Sequence, residues 1–228
     1  MEKTAPGTLN ERQHAYLIGA FYRAFTERHG ERGKTCFVKA TQYIAEQRGR
    51  RMALRALRDD RPLDYSTYMA YGEINFTLPN DSRSVGEGPD CELEITRCAW
   101  QEVFREMDLV ECGLCYCPQI DRGIVRGFNA DLGFVLKSTL HDAPCYDMIF
   151  QDAALYPVAP PAGGKRSWAY HCGHYYQGYS RFAQSVFPDG TEIIRQAEEQ
   201  FIHDCGEAAL VSVLQYAQTD FESIDEEV

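Results

Sequence analysis

The densest group of reactive side chains is Cys112-x-x-Cys115-x-Cys117-Pro118-x-x-Asp121. One reading is zinc. A structural zinc site takes four ligands, usually from two paired motifs. The second pair would have to come from His171, Cys172 and His174, or from Cys98 and Cys145, and none of these has standard spacing. The alternative for Cys112 and Cys115 is burial as small hydrophobes, and that is the reading preferred. Cys117 differs because Pro118 follows it, and proline favours the first position of a helix. That places Cys117 at an N-cap, where the helix dipole lowers a thiol pKa. Asp121 lies about one turn on, on the same face. A thiol beside a carboxylate at a helix start is a candidate nucleophile and proton-handling pair, and also a common coincidence.

His171 and His174 stand one helical turn apart. They could ligate a metal together, supply an acid or base, or hydrogen-bond within an aromatic packing surface. Glu102 faces away from the apolar stripe of Trp100, Val103, Phe104 and Met107; it is either a solvated charge or a carboxylate lining a cleft. Gly86-Glu87-Gly88 has no following Lys-Ser/Thr and is no phosphate loop. A Gly-x-Ser-x-Gly elbow and a zinc-protease motif are both absent.

These residues need elements to position them. Ala15-Tyr16-x-x-Gly19-x-Phe21-Tyr22-x-x-Phe25 reads against Ala169-Tyr170-x-x-Gly173-x-Tyr175-Tyr176-x-x-Tyr179 at a constant offset of 154. Each copy opens a helix, a polar turn and a second helix, which points to a duplicated helical hairpin; chance similarity of two aromatic helices is the alternative. Asp189 followed by Glu192 looks like a capping box. Between the hairpins, 73–78 and 91–96 alternate at period 2, with Asn80 to Pro89 as the loop between two strands. Cys98 to Met107 is helical in pattern. Asp131 to Leu140 and Tyr146 to Phe150 read as two more strands, and Pro157 to Lys165 as a linker. The expected class is α+β: a central antiparallel sheet with inserted helices over 70–152, flanked by helical hairpins over 10–68 and 166–224, all in one domain of 228 residues.

Charge sets bounds on partners. With 23 Lys+Arg against 34 Asp+Glu the formal net charge is −11, which disfavours nucleic acid and anionic membranes. No apolar run reaches the ~20 residues of a membrane helix. Met1 to Glu11 is polar, without an apolar signal core, and the nine cysteines are odd in number, so the expectation is a reducing cytoplasm without a disulfide framework. A homodimer is the default oligomer.

The middle of the chain resembles a known family. Ile95-Thr96-Arg97-Cys98-Ala99-Trp100-Gln101-Glu102-Val103-Phe104-Arg105-Glu106 is similar to a segment of the L-2-amino-thiazoline-4-carboxylic acid hydrolases. So are Cys117 to Asp121, Gly127 to Leu132 and Lys137 to Phe150. The last of these also resembles small-molecule-binding domains of the vinyl-reductase-associated type. His141 stands where the family has Gly, Ala130 where it has Pro, and Met148 where it has Phe. The resemblance implies hydrolytic opening of a cyclic amidine, without a cofactor, by attack at the carbon between the heteroatoms. It implies Asp121 as amidine partner or general base, Cys117 as nucleophile or wall of the site, and His141 as this chain's own addition. Cys98 and Cys145 are weaker candidates that read equally well as core. Arg97 or Arg126 would hold a carboxylate or form a surface ion pair, and Asn129 would orient substrate or cap a turn. Glu102, His171 and His174 complete the candidates. Two rival readings remain at this point: a non-enzymatic sensor or carrier, and a metal-dependent hydrolase built on His171 and His174.

Overall fold

The computed structural model describes residues 9–85, 89–153 and 155–224. The Gly86-Glu87-Gly88 loop, most of the polar N-terminal stretch and the end of the acidic tail lie outside the described residues. The elements run α1 (Glu11–Arg58), α2 (Tyr65–Ala70), β1 (Asp81–Val85), β2 (Cys91–Arg97), α3 (Ala99–Glu106), α4 (Val110–Phe128), β3 (Phe134–Ser138), β4 (Tyr146–Phe150), α5 (Trp168–Val186), α6 (Gly190–Cys205) and α7 (Glu207–Leu214). Helices plus one antiparallel sheet make the class α+β, as the patterning implies. Among the described residues no helix is long and apolar enough to cross a membrane.

The chain divides into two compact units. The first takes residues up to Thr41, Ala99–Cys115 and Ser167–Thr219. Here α1 is broken at Gly30, whose φ of 52° and ψ of −132° are open to glycine at little cost. A straight helix would separate residues 22 and 37 by about 22 Å. The rings of Tyr22 and Phe37 instead meet at 5.1 Å, so the chain folds back at Gly30 and the expected N-terminal hairpin forms. Tyr179 of α5 is its hub. Its ring stacks on Phe37 at 5.0 Å and packs on Phe21 at 5.2 Å, and its hydroxyl lies 2.9 Å from Thr41 Oγ1. The expected capping box at α6 does not form. Asp189 holds the N-cap position, but its carboxylate is taken by Arg28 Nε at 2.9 Å and His29 Nε2 at 2.8 Å. A charge-assisted pair outcompetes a bond to a backbone amide.

The second unit takes Gln42–Cys98, Tyr116–Arg166 and the residues from Asp220 onward. Its sheet has the order β1-β2-β4-β3, every pair antiparallel. The central pair sets Cys91 against Phe150, Leu93 against Met148 and Ile95 against Tyr146. Tyr146, Met148 and Phe150 are buried along one face of β4, the period-2 consequence of the pleat. Phe150 packs on Tyr65 and Tyr68 of α2 at 4.7 and 5.5 Å. The strand expected over 73–78 is irregular, and β1 lies in what reads as the following loop. The reason is Glu73. It is fully buried while Phe76 is half exposed, the reverse of what a strand with its apolar face inward would give. An ion cluster, described below, holds Glu73 in and overrides the alternation. The second half of α1 crosses α4 at close range. A Cβ on Gly49 would sit 2.1 Å from the Ile124 carbonyl oxygen, so only glycine permits this approach.

Candidate active site

Cys117 is not at a helix start. α4 begins at Val110, and Pro118 lies inside it, where its missing N–H leaves the Leu114 carbonyl without its helical donor. The N-terminus of its own helix is therefore about two turns away, too far to acidify the thiol. Burial pushes the Cys117 thiol well above its ordinary range, and the nearby Cys98, Asp121 and Asp142 push it further. The helical spacing to Asp121 is nonetheless as the sequence implies. The Tyr146 hydroxyl reaches both the Asp121 carboxylate and the Cys117 backbone carbonyl, and the Asp121 charge bears on the Cys117 thiol.

Tyr146 comes from β4, on the face that the strand's alternation turns toward the core. Its hydroxyl hydrogen-bonds the Asp121 carboxylate and also lies 3.1 Å from the Cys117 carbonyl oxygen. Burial raises the Asp121 pKa, against the hydrogen bond from Tyr146 and the positive charge of Arg48, which lower it. The Tyr146 phenol is raised in turn, by burial first and then by the Asp121 charge. One hydroxyl hydrogen faces two acceptors. It serves the carboxylate when Asp121 is ionised. When Asp121 is protonated and donates, the hydroxyl can turn to the Cys117 carbonyl. The arrangement thus satisfies both protonation states of Asp121.

His141 reaches the site from the turn between β3 and β4. Thr139 N–H and Oγ1–H donate to Asp142 Oδ1 at 2.8 and 2.7 Å, and the Thr139 carbonyl accepts from the N–H groups of Asp142 and Ala143 at 3.2 and 2.9 Å. These bonds tie the turn down, and those from Thr139 lower the Asp142 pKa. The non-glycine residues with positive φ among the described residues are Asp60, Asp108 and Asp152. A side chain at 141 therefore carries no left-handed strain, although the family resemblance gives Gly there. His141 Nε2 comes to 3.5 Å from Cys117 Sγ.

The remaining candidates fall apart from this group to different degrees. Cys98, half-buried between β2 and α3, is an electrostatic neighbour of Cys117. Cys145 is half-buried, and its carbonyl oxygen accepts from Ser138 Oγ at 2.8 Å. Asn129 caps the turn after α4: its Nδ2 donates to the Leu63 carbonyl at 2.8 Å and its Oδ1 accepts from Asp131 N–H at 2.9 Å. Arg126 is exposed, with Nε donating to Glu46 Oε1 at 2.8 Å. Glu102, His171 and His174 belong to the first unit. There the two buried histidines pack among Trp168, Tyr170 and Tyr175. All nine cysteines are free thiols, and Cys112 and Cys115 are buried as expected. Among the described residues no group of three or more His, Cys, Asp or Glu is placed to hold a metal ion.

Residues 48, 68, 73 and 146 escaped the sequence reading. Arg48 bears electrostatically on Asp121 and Tyr68, and burial raises the Tyr68 phenol. Only Tyr146 left a signal, as an inward position of a recognisable strand.

A cysteine and a histidine 3.5 Å apart, with a carboxyl of raised pKa one turn away, are groups of the kind that nucleophilic and proton-transfer chemistry uses. The profile of the L-2-amino-thiazoline-4-carboxylic acid hydrolases matches residues 10–143, and the chain belongs to this family. The match includes Arg48, Cys117, Asp121 and His141 and stops short of Tyr146. No curated protein and no solved structure matches the chain.

Proposed function

We propose that this hydrolase-family chain opens a small cyclic amidine such as 2-amino-thiazoline-4-carboxylate. The observation that carries the reading is His141 Nε2 at 3.5 Å from the Cys117 thiol. An ordinary thiol with pKa ~8.5 already costs about 2 kcal/mol to ionise at pH 7, and burial raises that cost here. A base in contact offsets it by taking the proton as the sulfur attacks.

The steps balance as follows. Cys117 Sγ bonds to the ring carbon that carries sulfur and two nitrogens, and its proton passes to His141. Asp121 pairs with the exocyclic nitrogen and keeps the amidine protonated and electrophilic. The ring C–N bond breaks, and the proton on His141 goes to the departing nitrogen, which becomes the free amine. Water then adds to the thioimidate carbon. The C–S bond to Cys117 breaks, leaving an S-carbamoyl cysteine product and the free thiol. One water is consumed and no redox partner is required.

The test is turnover of 2-amino-thiazoline-4-carboxylate followed by mass spectrometry. Wild type should give a product heavier by one water. Cys117→Ala should lose turnover, and His141→Asn should lose about 10²–10⁴-fold in kcat. Normal turnover by Cys117→Ala would remove the nucleophile assignment. Ligand-induced thermal stabilisation without turnover in wild type would favour a carrier instead.

A further inference from the structure

Three arginines of the second unit share one buried carboxylate. Arg48, Arg51 and Arg55 lie on one face of α1, at steps of three and four residues. They converge on a single carboxylate, Glu73. Its Oε1 accepts from Arg51 Nε at 3.0 Å and from Arg55 Nη1 at 2.6 Å, and its Oε2 accepts from Arg51 Nη2 at 2.8 Å. Arg51 spends its remaining arm on the Phe221 carbonyl at 2.7 Å. Arg48 arrives too late. Its Nε stops 4.0 Å from Glu73 Oε2, and neither Arg48 Nε nor Arg55 Nη2 has a hydrogen-bond partner among the described residues, although both atoms are shut off from solvent. Three guanidiniums share one carboxylate, and two of their buried N–H groups go without an acceptor among the described residues. Lys165, an exposed residue, donates to the Ile74 carbonyl at 2.9 Å, and its charge is disfavoured by partial burial and by Arg48.

Unsatisfied buried donors on a cation are expensive, and a protein that keeps them has a strained site, a water or ion there, or a functional use for them. The three arginines are not equivalent in this respect. The side chains of Arg51 and Arg55 are 0% and 2% exposed, whereas that of Arg48 is 13% exposed, so Arg48 is the arm that a solute can reach. It is also the arm beside the chemistry. It precedes Gly49, where α1 closes on the helix that carries Cys117 and Asp121, and its charge is felt at Asp121 and Tyr68. Arg126 is exposed too, but it is paired with Glu46 and is not among the charges that shift Asp121.

We infer that Arg48 is a substrate-binding residue that takes the carboxylate of a small anionic substrate, with Arg51, Glu73 and Arg55 as the fixed frame that aims it. The inference rests on the hydrolase reading for the identity of that substrate, but its test does not require turnover. Binding of 2-amino-thiazoline-4-carboxylate and of uncharged-tail 2-aminothiazoline is measured by calorimetry on wild type, Arg48→Met and Arg48→Lys, alongside kcat and KM. Wild type should bind the carboxylate more tightly. Arg48→Met should weaken carboxylate binding and raise its KM about ten- to hundredfold, with 2-aminothiazoline unchanged. Arg48→Lys, which keeps the charge and loses the planar fork, should recover part of the loss and serves if the Met variant misfolds. Selective loss of carboxylate binding with no turnover in wild type would uphold Arg48 and defeat the hydrolase. Normal turnover and unchanged carboxylate affinity in both variants would defeat Arg48 and leave the hydrolase standing. Equal losses for both ligands, or a wild type that binds neither, would also overturn the assignment.

Discussion

Tyr146→Phe isolates one hydrogen bond at the centre of the site. The substitution keeps the ring that packs along the inner face of β4 and removes the hydroxyl shared between Asp121 and the Cys117 carbonyl. The hydroxyl favours the ionised form of Asp121, and burial opposes it. Without the hydroxyl the carboxyl holds its proton to higher pH. A hydrogen bond to a charged group contributes about 1.5–3 kcal/mol, which corresponds to a ten- to hundredfold change in the carboxylate population wherever Asp121 is largely protonated. The mechanism needs the carboxylate to pair with a protonated amidine. The variant's kcat/KM should therefore fall about ten- to hundredfold at the acidic end of the profile and approach wild type as pH rises. The assay is kcat/KM against pH for both proteins, with thermal unfolding at each pH to confirm that the variant is folded. A loss of equal size at every pH would show that the hydroxyl only positions Cys117. No loss at any pH would refute the role given to Asp121.

Two further predictions concern the frame. Glu73→Gln leaves three buried guanidiniums facing a neutral amide, and breaking such a network should cost about 3–5 kcal/mol, or roughly 6–20 °C in Tm by differential scanning calorimetry; a loss under 1 kcal/mol would contradict the cluster's energetic role. Burial opposes the charge on Glu73, but Arg51, Arg55 and Arg48 outweigh it and hold the carboxyl well below its ordinary range. Its contribution is accordingly complete above the unfolded pKa of about 4.3 and is lost as pH falls from there through the folded value. Urea titrations below pH 4.5 should show a shallower acid slope in Glu73→Gln than in wild type, the difference being the share due to Glu73. Gly49→Ala drives a methyl to 2.1 Å from the Ile124 carbonyl and should destabilise by about 1–3 kcal/mol or more, whereas Gly72→Ala, with its nearest atom at 3.7 Å, should change little.

How much of this was legible in the sequence follows from how far each signal reaches along the chain. Periodicity is local, so β2, β4 and α3 could be read within a residue or two. The spacing from Cys117 to Asp121 is also local. It put both on one helix face, whichever residue begins the helix. Proline misled at this point, because a rule about helix starts cannot tell a start from a proline tolerated in the interior. The alternation over 73–78 misled for the opposite reason. It is a genuine period-2 pattern, overruled by arginines that lie about 20 residues earlier in sequence and beside it in space.

The sequence by itself determined the class of fold, the helical spacing from Cys117 to Asp121 and the family. These depend on nearest neighbours along the chain and on motifs kept in order. Only the tertiary structure decided that His141 meets the thiol from a turn 24 residues away, that Tyr146 ties Asp121 to the Cys117 backbone, and that Arg48 is left over from the Glu73 cluster. Each is a contact between elements, and its energy depends on burial and on which partner arrives first. Neither can be read from residue types at a given spacing.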